Sequence, residues 1–443
     1  MIGLFSDVIE TLAEILFMAN SGSEFAMRFV PFILFIEVPF YSLVLIGLAK
    51  YITRRHFSTP LQINYRPSVS CIVLCYAEGE GILASIRSLV EQQYAGHIQI
   101  IVVIDGAVQN GLTYQVALAA QKRFKHWPRR EIILVPKWQR GGRVSSINAG
   151  FNKCRGLVTM VLDGDTSFDN DMVANSTPHF ANENVVAVSG SLRVRNVKAS
   201  VVTRLQAIEY LISIHTSKVG LSEFNVVNNI SGAFGIFRTE FIKAVGGWDA
   251  GTAEDLDLTM RIKQYFGRHR NLRIVFEPTA IGHTDVPETM RAFLLQRLRW
   301  DGDLYWLYFR KHSPGFVPRL LGWANFIGIL WYGVLFQIVM PFMILIYLVY
   351  SFLVYQLSQV VAILVLVYGF YLLVTTVFYT VGVAGISERP RADLKQAWLV
   401  PFFPGFMLVI RLWATVAVLS ELFLHNSRYS TMAPFWVLKR NKY

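Results

Sequence analysis

The amino-acid sequence predicts an α/β domain with a Rossmann-like sheet, inserted between transmembrane and interfacial α-helices. Apolar runs long enough to cross a bilayer lie near both ends of the chain, and a more polar stretch from about residue 68 to 315 lies between them. Within that stretch, short runs of Val, Ile and Leu alternate with amphipathic segments. Continuous apolar strands between helices are typical of a parallel sheet that is covered on both faces.

The composition supports an association with membranes. Hydrophobic residues make up 53% of the 443 residues and charged residues only 16%. A soluble enzyme needs more polar surface, so part of the chain must face lipid. We interpret the formal charge of +12 as basic loops against anionic membrane lipid rather than as a nucleic-acid surface. The three cysteines lack metal-binding spacing and are expected to be buried thiols.

The N-terminal part is predicted to lie on the membrane and then cross it. About the first twenty residues resemble an amphipathic surface helix, and the apolar run from about Met27 to Lys50 is long enough to span a bilayer. Arg54 and Arg55 follow this run, so the positive-inside rule places the next domain in the cytosol. The predicted units are 1–55 (surface helix and first span), 66–315 (cytosolic domain), 316–424 (transmembrane and interfacial helices) and 425–443 (basic tail).

The topology of the C-terminal part stays open at the level of sequence. Three apolar runs follow the domain, near 326–353, 359–386 and 399–424. Three full spans would leave the C-terminus outside, yet the basic residues of the tail favour the inside. Pro401, Pro404 and Arg411 in the last run are also compatible with an interfacial or broken helix.

Aspartates follow two of the predicted strands. Asp105 ends the run IQIIVVID, and Asp163 ends LVTMVLD and precedes Gly164 and Asp165. Ligands of open α/β sheets bind beyond the carboxyl ends of the strands, which is where these side chains lie. Carboxylates spaced Asp-x-Asp on a tight turn can hold Mg²⁺ or Mn²⁺ and leave positions open for a diphosphate. The alternative is a solvated turn, since Asp and Gly are common turn residues.

A second acidic motif, GTAEDLD, occupies Gly251–Asp257. Glu254 and Asp255 stand there at the start of a predicted amphipathic helix. This acidic pair is a second candidate for a functional site. The alternative is the ordinary preference of acidic residues for the N-terminus of a helix.

A third motif, QRLRW, occupies Gln296–Trp300. Gln296, Arg299 and Trp300 are spaced i, i+3 and i+4, so they share one helix face, and Arg297 points elsewhere. A guanidinium, an amide and an indole on one face suit a diphosphate beside a sugar. The alternative is a membrane interface, where Trp and Arg also occur together.

These three motifs, in this order and between membrane spans, resemble the family 2 glycosyltransferases. Within that family the chain is most similar to processive polysaccharide synthases, which make poly-N-acetylglucosamine, cellulose, hyaluronan or chitin oligosaccharides. The resemblance covers about residues 66–310 by motif and the rest by the arrangement of spans. It implies a GT-A fold, a UDP-sugar donor, inversion at the anomeric carbon, and Mg²⁺ or Mn²⁺ as cofactor.

The resemblance also implies roles for individual residues on the donor side. Ala77, Glu78 and Asp105 would lie against the base and ribose of the nucleotide. Arg143 stands where the family usually has lysine, near the diphosphate. Asp163 would serve the sugar nucleotide and the metal, with Asp165 as the direct metal ligand.

On the acceptor side, the resemblance assigns Asp255 as the general base, beside Glu254. Gln296 and Arg299 would bind the diphosphate, and Trp300 would close the acceptor site, which the loop containing Gly232 would line. The chain departs from the family pattern at three places: Ile104-Asp105-Gly106, Ala253-Glu254-Asp255 and Asp301-Gly302-Asp303. The last is interpreted as surface or interface, and a lone His283 as structural rather than as a metal ligand.

Three functions are compatible with the motifs. The first is a processive synthase that elongates a β-linked polysaccharide, with a lean towards N-acetylglucosamine, and exports it, with a possible export subunit. The second is a non-processive enzyme that glycosylates a lipid such as a polyprenyl phosphate or a ceramide-like acceptor. The third is a catalytically silent scaffold or transporter. That function predicts the loss of the catalytic carboxylates, whereas Asp105, Asp163, Asp165 and Asp255 are all present. Glu37 and Arg411 lie in apolar runs, and we expect one of them to face a translocation path.

Overall fold

The computed structural model describes residues 33–57, 64–249 and 253–424, together with Asp7 and Glu10. The predicted surface helix before residue 33 and the basic tail after residue 424 therefore lie outside the described part, apart from those two positions. Cys71 and Cys75 are buried free thiols, as expected, and Cys154 is partly buried.

One eight-stranded sheet forms the centre of the domain. The strands are β1 (Val69–Cys75), β2 (Ile98–Asp105), β3 (Arg130–Lys137), β4 (Val158–Asp163), β5 (Ser167–Phe168), β6 (Val185–Val194), β7 (Phe234–Arg238) and β8 (Arg273–Thr284). Their order across the sheet is β3-β2-β1-β4-β7-β6-β8-β5. Every residue of β1 and β2 is buried, because helices cover both faces of these strands.

The prediction of a fully parallel sheet is wrong for two strands. β1 to β4 are parallel, and β6 is parallel to β8, but β7 is antiparallel to both β4 and β6, and β5 is antiparallel to β8. The loop before β7 lies at the carboxyl edge of β4, since Phe234 is the register partner of Leu162. The chain therefore enters β7 from the ligand side and must run back through the sheet.

The described helices are α1 (Val38–Phe57), α2 (Ile82–Val90), α3 (Gly111–Arg123), α4 (Arg143–Phe151), α5 (Met172–Ser176), α6 (Val201–Glu209), α7 (Ser217–Glu223), α8 (Thr239–Ala244), α9 (Glu254–Lys263), α10 (Met290–Trp306), α11 (Pro318–Leu321), α12 (Trp323–Gly328), α13 (Met340–Val354), α14 (Leu357–Val381), α15 (Pro390–Leu394) and α16 (Phe403–Leu424). The described part also contains five π-helical segments. One precedes α1, at Ile33–Glu37, and the others follow α-helices, at Tyr210–Thr216, Leu307–Lys311, Ile329–Val339 and Gly382–Ile386. Short 3₁₀ turns occupy Gly79–Gly81, Thr177–Ala181, Ser313–Gly315 and Ala397–Phe402.

Four continuous helical segments in the described part are long and apolar enough to cross a membrane. They are Phe35–Phe57, Trp323–Val354, Leu357–Ile386 and Ala397–Leu424. These segments lie at the two ends of the chain, as the apolar runs predict, and the α/β domain is inserted between them.

The first membrane helix is joined directly to the domain. α1 crosses α7 so closely that a Cβ on Gly47 would lie 2.2 Å from the main-chain oxygen of Gly220. Arg54 adds an ion pair to the buried Glu223, with its Nη2 2.5 Å from Oε1. Glycine at both crossing positions is what permits backbones to approach this closely.

The last helix, α16, lies alongside α10 of the domain. The ring of Phe406 stacks on Phe293 at 5.2 Å between centroids. Further along, the indole of Trp413 donates to the main-chain oxygen of Leu294 at 2.7 Å. A Cβ on Gly302 would lie 3.4 Å from that of Glu421. Contacts to α10 therefore continue along most of α16.

Candidate active site

Asp105 ends β2 at the carboxyl edge, and its carboxylate holds three donors. Its Oδ1 accepts from Nζ of Lys137 at 2.7 Å and from the main-chain N–H of Gly141 at 2.8 Å. Its Oδ2 accepts from the N–H of Gly142 at 2.8 Å. Because Asp105 and Lys137 are register partners on β2 and β3, the sheet itself brings this ion pair together. Asp105 thus fixes the turn that leads into α4 and Arg143.

Arg143 joins the two acidic motifs. Its Nη1 donates to Oδ1 of Asp163 at 2.6 Å, and its Nε donates to Oε1 of Glu254. Its Nη2 donates to the main-chain oxygen of Gly232 at 2.8 Å. Although burial acts to lower it, the two carboxylates raise the pKa of Arg143. One planar guanidinium therefore contacts the Asp-Gly-Asp turn, the Glu-Asp motif and the loop that contains Gly232, and it fixes their relative positions.

The Asp-Gly-Asp turn lies tightly against the end of β1. A Cβ on Gly164 would be 2.6 Å from the main-chain oxygen of Leu74, so only glycine fits between the two aspartates. Burial and the nearby charge of Asp165 raise the pKa of Glu78 to about 7. Burial and the charge of Asp163 raise the pKa of Asp165. Three carboxyl groups thus crowd one edge of the sheet.

This crowded edge fits a divalent cation that is shared with a ligand. Within the described ranges, no three His, Cys, Asp or Glu side chains are placed to hold a metal by themselves. Mg²⁺ is commonly held by one or two carboxylates and by substrate phosphates. Asp165 is exposed and Asp163 partly so, and a cation would relieve the repulsion that raises the carboxyl pKa values. His283 is turned to Asp169, with Nε2 2.8 Å from Oδ1.

Asp255 lies directly against the loop that contains Asn229 and Gly232. Its Oδ2 accepts from the N–H of Gly232 at 3.0 Å and from Nδ2 of Asn229 at 3.3 Å, and its Oδ1 accepts from the N–H of Leu256 at 2.8 Å. Burial, followed by the charge of Glu254, raises the pKa of Asp255 to about 6. A carboxylate with this pKa is ionised at neutral pH and can still take up a proton, as a general base requires.

Two of the acidic residues at the site, Glu78 and Glu254, each follow an alanine with a left-handed backbone. Ala77 precedes Glu78 with φ of 64°, and Ala253 precedes Glu254 with φ of 49°. Such conformations cost free energy in residues other than glycine and occur often at functional sites. The short alanine side chain leaves the start of α9 without a side-chain cap, so the N–H groups of its first turn are open to the acidic side chains.

The QRLRW motif lies on α10, apart from the carboxylates. Among the described residues, no hydrogen bond or ion pair joins Gln296, Arg299 or Trp300 to the acidic motifs. Oε1 of Gln296 is buried without a hydrogen-bond partner, and Trp300 is exposed. Arg297 lies on another face, as the helical spacing predicts, and its Nη2 donates to Oε1 of Glu209 at 2.6 Å. Gln296 and Arg299 are partly exposed, and neither is paired with a described carboxylate.

Several residues near the site were missed at the level of sequence. Asp257 is fully buried and accepts from Nε2 of His312 at 2.8 Å, and Lys311 pairs with the same oxygen at 2.8 Å. Burial acts to raise its pKa, but the hydrogen bond from His312 and the nearby cations lower the pKa of Asp257 to about 2. This cluster ties α9, which carries Asp255, to the π-helical turn Leu307–Lys311 that follows α10. Lys137 could have been found, because it ends β3 at the ligand edge.

A cavity of about 490 Å³ opens between the domain and the membrane helices. Its walls are mainly apolar, but Glu209, Asn228, Arg297 and Asp301 line it on the side of the domain. The segment Asp301-Gly302-Asp303 was expected at a surface or interface, but only Asp301 is partly exposed and lines this cavity, whereas Gly302 and Asp303 are buried in the packing of α10. Arg297 also covers the ring of Trp300 at 4.7 Å. The cavity therefore lies beside α10, which carries the QRLRW motif, and Asn228 in its wall directly precedes Asn229 in the sequence.

Comparison with known proteins gives the class of this protein. The model of the family described as "Glycosyltransferase like family 2" matches residues 67–302. The chain belongs to this family and is a family 2 glycosyltransferase. Its fold is that of the GT-A enzymes, with a mixed sheet and with helices apolar enough to span a membrane near both termini.

Individual relatives narrow the comparison. The chain is 26% identical over 318 residues to a poly-β-1,6-N-acetyl-D-glucosamine synthase of Staphylococcus aureus, covering 69% of this chain and 74% of the relative. It is 28% identical over 255 residues to the synthase of the same name from Staphylococcus epidermidis, covering 57% of this chain and 58% of the relative. The mannosyltransferase PcManGT of Pyrobaculum calidifontis, solved with GDP-Man and Mn²⁺, shares the fold with a TM-score of 0.52 at 18% identity. That match covers 87% of this chain and 99% of the mannosyltransferase.

Proposed function

We propose that the protein is an inverting, metal-dependent polysaccharide synthase that transfers a sugar from a UDP-sugar to a growing β-linked chain. The observation that carries the proposal is the separation of two acidic groups by Arg143. Asp163 and Asp165 lie on one side as the donor cluster, and Asp255 lies on the other beside the acceptor loop. The relatives named poly-β-1,6-N-acetyl-D-glucosamine synthase support a polysaccharide product and N-acetylglucosamine as the sugar.

The proposed reaction is an in-line displacement at the anomeric carbon. An acceptor hydroxyl oxygen forms a bond to C1 of the donor sugar while the bond from C1 to the diphosphate oxygen breaks. The hydroxyl proton passes to a carboxylate oxygen of Asp255, and UDP departs on the opposite face. Attack from the opposite face inverts the configuration, so an α-linked donor yields a β-linked product.

The donor side must hold the charge of the departing UDP. A bound Mg²⁺ or Mn²⁺, held by Asp165 with Asp163, would neutralise charge on the diphosphate. Ala77, Glu78 and the turn fixed by Asp105 would border the nucleotide. Gln296 and Arg299, which form no ion pair with a carboxylate in the described ranges, would add donors to the diphosphate. Trp300 would stack on the acceptor sugar.

We further propose a topology with the domain of about 66–315 in the cytosol. Lys50 and Arg54 at the domain end of α1 favour this side by the positive-inside rule. The connector between α14 and α16 is at the domain as well, because Glu388 pairs with the buried Arg193 of β6 at 2.6 Å. Trp323–Val354 and Leu357–Ile386 then form an outward and a return span.

The last helix is proposed to be interfacial rather than transmembrane. α16 contacts α10 of the domain both near its start, at Phe406, and near its end, at Glu421. A helix that crossed the bilayer would leave the domain along its length. This arrangement returns the C-terminus to the cytosolic side, where the basic tail is expected.

The cavity supports an acceptor that approaches from the membrane side. For a polysaccharide, it would be the start of a path for export, with Arg297 and Asp301 of α10 on its wall. Its largely apolar walls also favour the second candidate, a non-processive enzyme that uses a lipid acceptor. The two candidates share the donor site and differ in the size of the product.

The test uses the full chain in nanodiscs with Mn²⁺ or Mg²⁺ and one UDP-sugar at a time. UDP release and the size of a labelled product are measured for the wild type, for Asp255→Asn and for the exposed control Glu183→Gln. We expect a metal-dependent polymer from UDP-N-acetylglucosamine, an unchanged control and a loss of about 10³-fold in Asp255→Asn. A single sugar on extracted lipid would establish the second candidate. Full activity of Asp255→Asn would overturn the assignment of the base.

A further inference from the structure

A buried lysine, Lys218, lies behind the candidate base. It is carried by α7 and is only 5% exposed. Its Nζ donates to the main-chain oxygen and to Oδ1 of Asn229, each at 3.0 Å, and it forms no ion pair with a described carboxylate. Burying an ammonium group against neutral acceptors is costly, and burial lowers the pKa of Lys218 to about 8. Packing alone would be better served by an apolar side chain.

Asn229 transmits the position of Lys218 to Asp255. An ammonium group offers only donors, so the amide of Asn229 must turn its oxygen towards Lys218. Its Nδ2 is then directed at Oδ2 of Asp255, 3.3 Å away. The N–H of Gly232 donates to the same oxygen at 3.0 Å. An ionised Asp255 only accepts and therefore favours the same orientation of the amide, and Lys218 adds two contacts that hold Asn229 in that orientation.

The helix that carries Lys218 is itself held by the membrane part. Gly220, two residues further along α7, would bring a Cβ within 2.5 Å of the main-chain oxygen of Val44 in α1. Glu223 at the end of α7 pairs with Arg54 of α1. A shift of α7 towards α1 is therefore blocked by backbone contact. The ammonium group has a fixed place relative to the acceptor loop.

We propose that Lys218 is a positioning residue that acts through Asn229 to orient the Asp255 carboxylate towards the acceptor hydroxyl. This inference rests on the proposed role of Asp255 as the general base. The charged groups that face Asp255 are Glu254, Arg143 and Lys218. Glu254 favours the protonated form of Asp255, whereas the two cations favour the ionised form.

The first experiment compares Lys218→Met, Asn229→Leu and the double variant as full chains in nanodiscs, with exposed Lys122→Met as the matched control. UDP release is followed across pH, together with kcat, the KM for donor and the Tm. We expect Lys218→Met to lower kcat about 10-fold, with the donor KM within about twofold, since the donor site is untouched. The acidic limb of the pH profile should move to higher pH, because Asp255 loses a nearby positive charge.

Two further comparisons separate positioning from a merely structural role. If Lys218 acts through Asn229, the double variant should be no slower than Asn229→Leu alone. Lys218→Arg keeps the charge and the donors, so it should return the acidic limb to the wild-type pH. A lowered Tm in Lys218→Met with an unchanged kcat and pH profile would overturn the inference, and so would multiplicative losses in the double variant.

The failure of this inference can be told from the failure of the proposed function. If Asp255→Asn retains full transfer, the assignment of the base is wrong. If Asp255→Asn abolishes transfer while Lys218→Met and Asn229→Leu both behave as wild type, only the positioning role is wrong. Should Lys218→Met fail to fold, Asn229→Leu by itself must still move the acidic limb to higher pH.

Discussion

The carboxyl edge of the sheet and the membrane-facing cavity both enclose charged groups, but they satisfy them differently. At the edge, Asp105 holds three donors and Arg143 reaches three acceptors. In the cavity, Oε2 of Glu209, Oδ1 of Asn228 and Oδ2 of Asp301 are buried without a hydrogen-bond partner. Buried polar groups are nearly always paired. The edge is therefore organised by the protein itself, whereas these cavity atoms have no hydrogen-bond partner within the described part of the chain.

This difference is consistent with two tasks. Stabilising the departure of a diphosphate requires charges that are already in place before reaction. Guiding an acceptor that is replaced or extended after each transfer requires groups that can exchange partners. Changes at the edge should therefore cost stability and rate together, whereas changes in the cavity should alter acceptor use with little effect on unfolding.

The largest effect is expected from Arg143→Ala. The variant leaves Asp163 and Glu254 without their shared cation, and removing one partner of a buried ion pair costs about 3–5 kcal/mol. Thermal unfolding in nanodiscs should show a clear drop in Tm, and UDP release should be nearly lost. Arg143→Lys keeps the charge but cannot reach three acceptors in one plane, so an intermediate result is expected. A stable, active Arg143→Ala would show that the edge is not organised by this residue.

The next effect concerns pH. The pKa of Asp255 is raised to about 6, so the base is protonated below that pH and ionised above it. We expect kcat/KM to fall about tenfold for each pH unit below about 6 and to level off above it. The profile is measured from UDP release at saturating metal. A flat profile down to pH 5 would mean that another group takes the proton.

A more moderate effect is expected from Gly220→Ala, which tests the junction between the two regions. The new Cβ would lie 2.5 Å from the main-chain oxygen of Val44, and backbone cannot yield as a flexible side chain can. Overpacking of this kind costs about 1–3 kcal/mol. The Tm should fall as a result of this loss in free energy of unfolding, whereas Gly246→Ala serves as a comparison at a position with open space but positive φ. Since Gly220 is helical and has no positive φ, an unchanged Tm in Gly220→Ala would mean that the helix crossing can relax to admit a methyl group.

A smaller effect on stability is expected from Asp301→Asn in the cavity. The amide keeps the shape of the carboxylate, whose pKa is raised to about 6 by burial, so the Tm should hardly change. Acceptor use should fall about 2- to 10-fold, the value of one hydrogen bond, and the product should become shorter. Product size on gels and the Tm are measured side by side. A large loss of Tm with unchanged product would mean that the cavity is structural.

The smallest effect is expected far from both regions. Glu131 and Arg155 form an ion pair with side chains that are 39% and 67% exposed. Exposed pairs contribute about 0–1 kcal/mol. Glu131→Gln should therefore change neither the Tm nor the rate of transfer beyond experimental error, and it sets the baseline for the other variants.

The sequence by itself determined the α/β domain, its place between apolar helices and the family. Strands such as β1 and β2 could be predicted because their residues are apolar without interruption, and Asp105 and Asp163 because they end such strands. Helical spacing predicted that Arg297 would leave the face of Gln296 and Arg299. These features depend on residues close together in the chain, so local pattern was sufficient.

Only the tertiary structure decided which groups meet. Arg143 contacts Asp163, 20 residues away, and Glu254, 111 residues away, and no local pattern reports such a pairing. The same holds for the reversed direction of β7, for Lys218 behind Asp255, and for the course of α16 along the domain. Each depends on the packing of distant segments, because ion pairs and close backbone crossings are satisfied in space rather than along the sequence.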